Sequence, residues 1–143
     1  MPTPENQKKI EYLSRYQKLG KRIKQLNEER AVWLSKACKV SQTLSDMPKA
    51  KNASQGISGE IERYIEISNE ITQELKELHR LRREIRAAIC GVKDDTLQTL
   101  LLYRYISGMT WEQIGEKLFY THVWLWTLHR RALDKISIPR DEQ

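Results

Sequence analysis

Between Glu5 and Val40 the apolar side chains Tyr12, Tyr16, Leu19, Ile23, Leu26, Trp33 and Ala37 recur at alternating intervals of four and three, broken only where Arg30 takes an apolar place. That alternation keeps one narrow seam on a helix and is the heptad pattern of a coiled coil, not the wider stripe of a helix lying on a globular core. The pattern predicts one long helix, roughly 50 Å at 1.5 Å per residue. Gly20 inside it costs about 1 kcal/mol relative to Ala, too little to break so long a helix. Periodicity is lost over 41–59, where Pro48, Gly56, Gly59 and a cluster of Ser, Asn and Asp predict a loop that is mobile or holds a contact. From Ser58, the expected cap, a second long helix carries Ile61, Tyr64, Ser68, Ile71, Leu75, Leu78, Arg82, Ile85, Ile89 and Val92 in the same alternation, with Ile65, Leu81 and Ala88 broadening the stripe.

Two helices with matched seams predict an antiparallel hairpin over residues 1–93. Each helix of such a pair covers only one side of the other's stripe, so further apolar surface has to be buried elsewhere. Self-association, with a dimer favoured, meets that need; packing of the remaining chain onto the stripe within one molecule is the alternative. Arg30 and Arg82 in the seams are expected to set register or to snorkel to solvent.

After Lys93 the period changes. Asp94 and Asp95 open a third helix at its positive end, with Leu97, Leu100, Leu101, Tyr103, Tyr105 and Ile106 following before Gly108 stops it. Thr110, with Glu112 and Gln113 after it, starts a short helix, and Thr121 starts another a few residues beyond Leu118. This is helix-turn-helix spacing. Leu125, Leu128 and Ala132 form one apolar line on the last helix, and Gly115 on the preceding one permits close approach. A second face of the 121–134 helix is then free to enter the major groove of DNA. On a helical wheel His122, Trp126, His129 and Arg130 share that outward face, while Trp124 falls nearer Leu128 and is expected to pack. The expected fold is therefore all-α: a coiled-coil hairpin (1–93, loop 41–59) followed by a three-helix domain (94–138).

Composition agrees with a helical chain of one or two small domains: among 143 residues, 31% are charged, with six glycines and four prolines. The net charge of +6 favours polyanionic partners. Its distribution is more informative. Lys8–Lys24 holds seven basic residues and one acid, Lys76–Lys93 six and two, and Gln25–Leu75 six and eight. In an antiparallel hairpin the two basic segments lie side by side, next to the start of the helix-turn-helix, where phosphate contacts are needed. The residues expected to meet double-stranded DNA are Thr121, His122, Val123, Trp126, Thr127, Arg130 and Arg131 on the last helix, with Arg83 and Arg86 from the basic segment.

Other chemistry finds little support. No nucleophile with a base, paired carboxylates or glycine-rich phosphate loop is evident, so no enzymatic activity and no cofactor are expected. Cys38 and Cys90 lack metal-ligand spacing and are expected to be small apolar filler, and His122 with His129 lacks a third ligand, so no metal is expected. An apolar run of membrane-spanning length and a basic-then-apolar N-terminus are both missing, which predicts a cytoplasmic protein without membrane contact.

The run Leu101-Leu-Tyr-Arg-Tyr-Ile-Ser-Gly-Met-Thr-Trp-Glu-Gln-Ile-Gly, followed by Arg131-Ala-Leu-Asp-Lys-Ile, resembles region four of bacterial sigma factors, the part that reads the minus-35 promoter element. Joined to the N-terminal hairpin and its Asp46-Met-Pro-Lys loop, the chain is similar to small phage and prophage transcription regulators with sigma-like ends, of the late-gene activator type. The resemblance implies a sequence-specific DNA-binding regulator with a possible RNA polymerase contact. Two departures concern the reading end: Phe119 stands where that family usually has Gly in the turn, and His122, Val123 and Trp124 stand where it often places Arg. Two rivals remain open: a DNA-packaging or assembly protein resembling small terminase components, and an adaptor that binds RNA polymerase without reading DNA.

Overall fold

The computed structural model describes residues 2–45 and 53–139, with side chains described from 2 to 39 and from 59 to 139. Among the described residues every regular element is helical: α1 (Pro4–Ser45), α2 (Ala53–Cys90), α3 (Asp95–Leu101), a π-helical turn (Leu102–Ile106), α4 (Trp111–Leu118) and α5 (His122–Lys135). The all-α expectation holds. No helix among the described residues is long and apolar enough to cross a membrane.

Both long helices reach further than expected. α1 continues through 41–45 and α2 begins at Ala53, so much of the expected 41–59 loop is helical and Ser58 lies inside α2 instead of capping it. Serine, glutamine and a single glycine each lower helix propensity by at most about 1 kcal/mol, which an established helix tolerates; of the residues in that stretch only Pro48 is a true breaker. Pro48 and the rest of the Asp46-Met-Pro-Lys segment lie outside the described residues. Gly20 leaves α1 unbroken, and nothing lies near where its side chain would be.

Contacts divide the chain into two compact units. One joins the start of α1 (to Leu19), the end of α2 (from Leu78) and everything after it; the other is Gly20–Glu77. Within the first, Tyr12 Oη donates to Glu84 Oε1 at 2.8 Å and Arg15 sits 3.5 Å from the same oxygen. Within the second, Arg22 pairs with Glu70 at 3.4 Å, Arg30 lies over the Tyr64 ring and Arg63 over the Trp33 ring. In the second unit the partner number falls along α2 as it rises along α1, which is antiparallel pairing.

The first unit holds the main core. Leu13, Ile85, Ile89 and Val92 are buried together with Leu97, Leu100, Leu101, Ile114, Leu125 and Leu133. Packing therefore runs across the division expected after Lys93. In Gly20–Glu77, Ile23, Ile67 and Ile71 are buried, while Val32, Leu34, Ile61, Ile65 and Leu75 remain exposed. The two seam arginines differ: Arg30 is half-buried and Arg82 is exposed. Cys38 and Cys90 are exposed, which corrects their expected place as apolar filler: both fall between the stripes that their helices bury.

Candidate nucleic-acid interface

α3 starts as its sequence dictates. Asp94 is the N-cap, and its carboxylate accepts from the Leu97 amide at 3.1 Å. Its end does not follow the simple expectation. The helix widens into the π turn, in which Ser107 N bonds Leu102 O at 2.9 Å and Met109 N bonds Tyr103 O at 3.0 Å. The last carbonyls of the segment, left without helical donors where it ends, find a partner on α1: Gln17 Nε2 donates to Tyr105 O at 3.1 Å and to Ile106 O at 3.0 Å. Gly108 then closes the segment at φ +74, and a side chain there would meet the Gln17 amide at 2.8 Å. The left-handed backbone favours glycine here, and a side chain would in addition displace the Gln17 amide from its two carbonyls.

α4 opens with a complete capping box. Thr110 Oγ1 accepts from Gln113 N at 3.2 Å, and Gln113 Oε1 accepts from Thr110 N at 2.9 Å. α5 opens on Thr121, whose hydroxyl accepts from Trp124 N at 3.2 Å. Between them Phe119 takes the left-handed conformation, φ 60 and ψ 40, that a glycine would adopt without strain. A bulky residue there costs roughly 1–2 kcal/mol, and its ring is 92% exposed. A Cβ on Gly115 would lie 3.2 Å from Tyr120 O and 3.3 Å from Leu125 Cδ1, so α4 and the base of α5 approach as closely as the sequence implied.

α5 buries Leu125, Leu128, His129, Ala132 and Leu133, and opposite that stripe Thr121, His122, Val123, Trp126, Arg130 and Arg131 are exposed, with Thr127 half-buried. His129 is a correction to the expected outward face. It falls four residues after Leu125 and four before Leu133, in the middle of the apolar line, and is only 3% exposed. Its Nε2 lies 2.7 Å from Tyr105 Oη, and the Trp111 ring meets it edge-on at 4.7 Å. Burial, helped by the Arg104 guanidinium, pushes the imidazole from 6.5 down to about 4. Burial likewise raises the Tyr105 phenol above its ordinary value. Both groups stay neutral near pH 7, and one proton between them satisfies the pair. The contact ties the π turn to α5.

Trp126 is half on the surface and half a brace. Its ring stacks on Trp111 of α4 with centroids 6.1 Å apart and planes 25° from parallel, and Arg104 lies 4.7 Å from the Trp111 ring. Trp124, expected to pack beside Leu128, is 40% exposed and carries the Arg131 guanidinium 5.4 Å above its ring. Arg130 makes no hydrogen bond or ion pair among the described residues, and the same is true of Arg83 and Arg86, which are exposed on α2 within the same compact unit. Other members of the basic segments are committed to structure: Lys9 donates to Leu133 O at 2.7 Å at the negative end of α5, beside Asn6 donating to Asp134, and Arg80 pairs with Glu84.

Sequence reasoning missed the parts played by Asn6, Lys9 and Gln17, which no periodicity marks because their partners lie far along the chain. It placed Tyr105 as an apolar position of the third helix without its bond to His129, and gave Arg104 no role beside Trp111. An open groove of about 1110 Å³ along the start of α1 and residues 134–139 carries Lys8, Lys9, Arg15, Lys18 and Lys135 against Glu5, Glu11, Glu84 and Asp134. Its charges nearly cancel, so it is no one-sign path for phosphates. Among the described residues no group of three metal-ligating side chains occurs.

Residues 60–137 match the model of a family described as a protein of unknown function (DUF1492). No curated protein and no solved structure matches the chain.

Proposed function

The chain belongs to the DUF1492 family, and we propose that it is a sequence-specific regulator of transcription that places α5 in the major groove of double-stranded DNA. The observation that carries this reading is the pair α4 and α5. Each helix is capped by a threonine side chain, they are joined by a turn of a few residues, and α5 presents an uncovered face with unpaired Arg130 at its centre. Free arginines at 83 and 86 support phosphate contacts from the same unit. The resemblance to sigma region four and to phage or prophage late-gene regulators supports a promoter-directed role in the cytoplasm, with RNA polymerase as a further partner. The exposed apolar residues of Gly20–Glu77 support self-association, with a dimer the simplest assembly.

A second reading, a polymerase-binding adaptor, is favoured by one observation: Phe119, Trp124 and Trp126 each expose aromatic surface in the turn and first half of α5. A DNA-packaging role is distinguished by mass, since a packaging ring has many more subunits than a dimer.

The test is duplex binding at low salt by the full chain and by an Arg130→Ala, Arg131→Ala double variant. Loss of two cationic contacts is expected to weaken binding by at least tenfold and to reduce its salt dependence. Binding that is undetectable for the native chain, or unchanged in the variant, overturns the reading.

A further inference from the structure

The uncovered face of α5 has a centre line. Val123, Thr127 and Arg130 follow one another at intervals of four and three, directly opposite the buried line of Leu125, Leu128 and Ala132. What this line offers changes along the helix. Val123, 78% exposed, has only methyl groups to present. Thr127 donates its hydroxyl proton to the Val123 carbonyl at 3.2 Å, inside its own helix, so its donor is spent and it presents its methyl and an oxygen that can only accept. Trp126 beside them has one ring face stacked on Trp111. Along this line a hydrogen-bond donor free to reach outward comes only at Arg130, while exposed His122 and the Trp126 indole N–H lie to one side of it. The line itself is thus methyl-bearing in its N-terminal half and cationic in its C-terminal half.

Reading a purine edge by hydrogen bonds takes a bidentate Arg, Asn or Gln, and none of these stands in the first two turns of α5. The one apolar group that a base pair displays in the major groove is the C5 methyl of thymine. On the DNA-binding reading above, on which this rests, we propose that Val123 and Thr127 recognise thymine methyl groups, so that the target site is specified by two thymines about two base-pair steps apart, with Arg130 contacting a guanine edge beside them. Four residues of helix rise about 6 Å, roughly the height of two stacked base pairs at about 3.4 Å each, so the two side chains reach separate pairs.

The test begins with duplexes selected by the full-length chain from a random pool. Each thymine of the selected site is then replaced singly by uracil, which removes the methyl and leaves every hydrogen-bonding group in place. At two thymines the affinity is expected to fall about three- to fivefold, the worth of one buried methyl. Val123→Ala is expected to abolish the thymine–uracil difference at one of these positions and Thr127→Ser at the other; the serine keeps the hydroxyl bond to the helix. Both side chains lie outside the core, and circular dichroism checks that the variants remain helical. Selected sites without recurrent thymines, or uracil sites bound as tightly as thymine sites by a protein that still rejects scrambled duplex, overturn the inference while leaving DNA binding intact. Failure to select any duplex overturns the proposed function itself.

Discussion

The two compact units are built from the same pair of long helices and differ in what else lies on them. In one, α3, α4 and α5 pack with the helix pair, and Leu13, Ile85 and Ile89 are completely buried. In the other, Gly20–Glu77, the described residues belong to the pair alone, and among them five large apolar side chains are left at the surface while Ile23, Ile67 and Ile71 are buried. The heptad spacing is equally regular in both. Periodicity therefore sets which residues line a seam, and the number of packing layers sets how much of that seam leaves water. Asn6, Lys9 and His129 are buried in the first unit and hydrogen-bonded, although a buried Arg15 nitrogen there, like the Ser68 hydroxyl in the second, makes no hydrogen bond among the described residues.

The strongest way to break this comparison is to empty matched positions. Leu100→Ala, at a fully buried site, is expected to cost about 3–5 kcal/mol in denaturant unfolding. Ile65→Ala, at a site half exposed, is expected to cost less than about 1 kcal/mol in a lone protomer. A loss at Ile65 that approaches that at Leu100, and that grows with protein concentration, would show the second seam to be covered by another copy.

Acid sharpens the comparison next. His129 has a folded pKa of about 4 against an ordinary 6.5, so between these values the unfolded chain holds the extra proton. Its contribution is complete above pH 6.5 and is lost as pH falls towards 4, by about 3 kcal/mol in all. Stability measured from pH 7 to pH 4.5 is expected to decline steeply for the native chain and less steeply for His129→Gln. Equal slopes would show that the imidazole is not held neutral in that core.

The smallest expected effect concerns the turn. Phe119→Gly relieves the left-handed backbone strain at an exposed position, and a rise of about 1 kcal/mol in unfolding free energy is expected, reduced somewhat by the freedom glycine gains when unfolded. Stabilisation with unchanged duplex affinity would separate the strain from recognition. Stabilisation with weakened affinity would place the phenyl ring in the interface.

Much of the fold is legible in local spacing. The two long helices, the threonine starts at 110 and 121, the stop at Gly108 and the buried Leu125, Leu128 and Ala132 all depend on neighbours within a turn or two. The long helix ends were underestimated because weak propensities at 41–45 and 53–59 resemble a loop on paper but cost an existing helix little. At the candidate site, six positions from Thr121 to Arg131 are exposed as expected and Thr127 half so, whereas His129 is not. Its neighbours Leu125 and Leu133 marked it as a core position, but only a buried partner for the ring nitrogen makes a histidine acceptable there, and that partner, Tyr105, is remote in sequence.

The sequence by itself determined the helical class and the caps at Asp94, Thr110 and Thr121, because these follow from repeats and hydrogen bonds closed within a few residues. Only the tertiary structure decided how much of each seam is covered, which carbonyls Gln17 meets beyond the π turn, and that His129 turns into the core. Those outcomes depend on groups brought together from opposite ends of the chain, and one-dimensional spacing carries no record of such encounters.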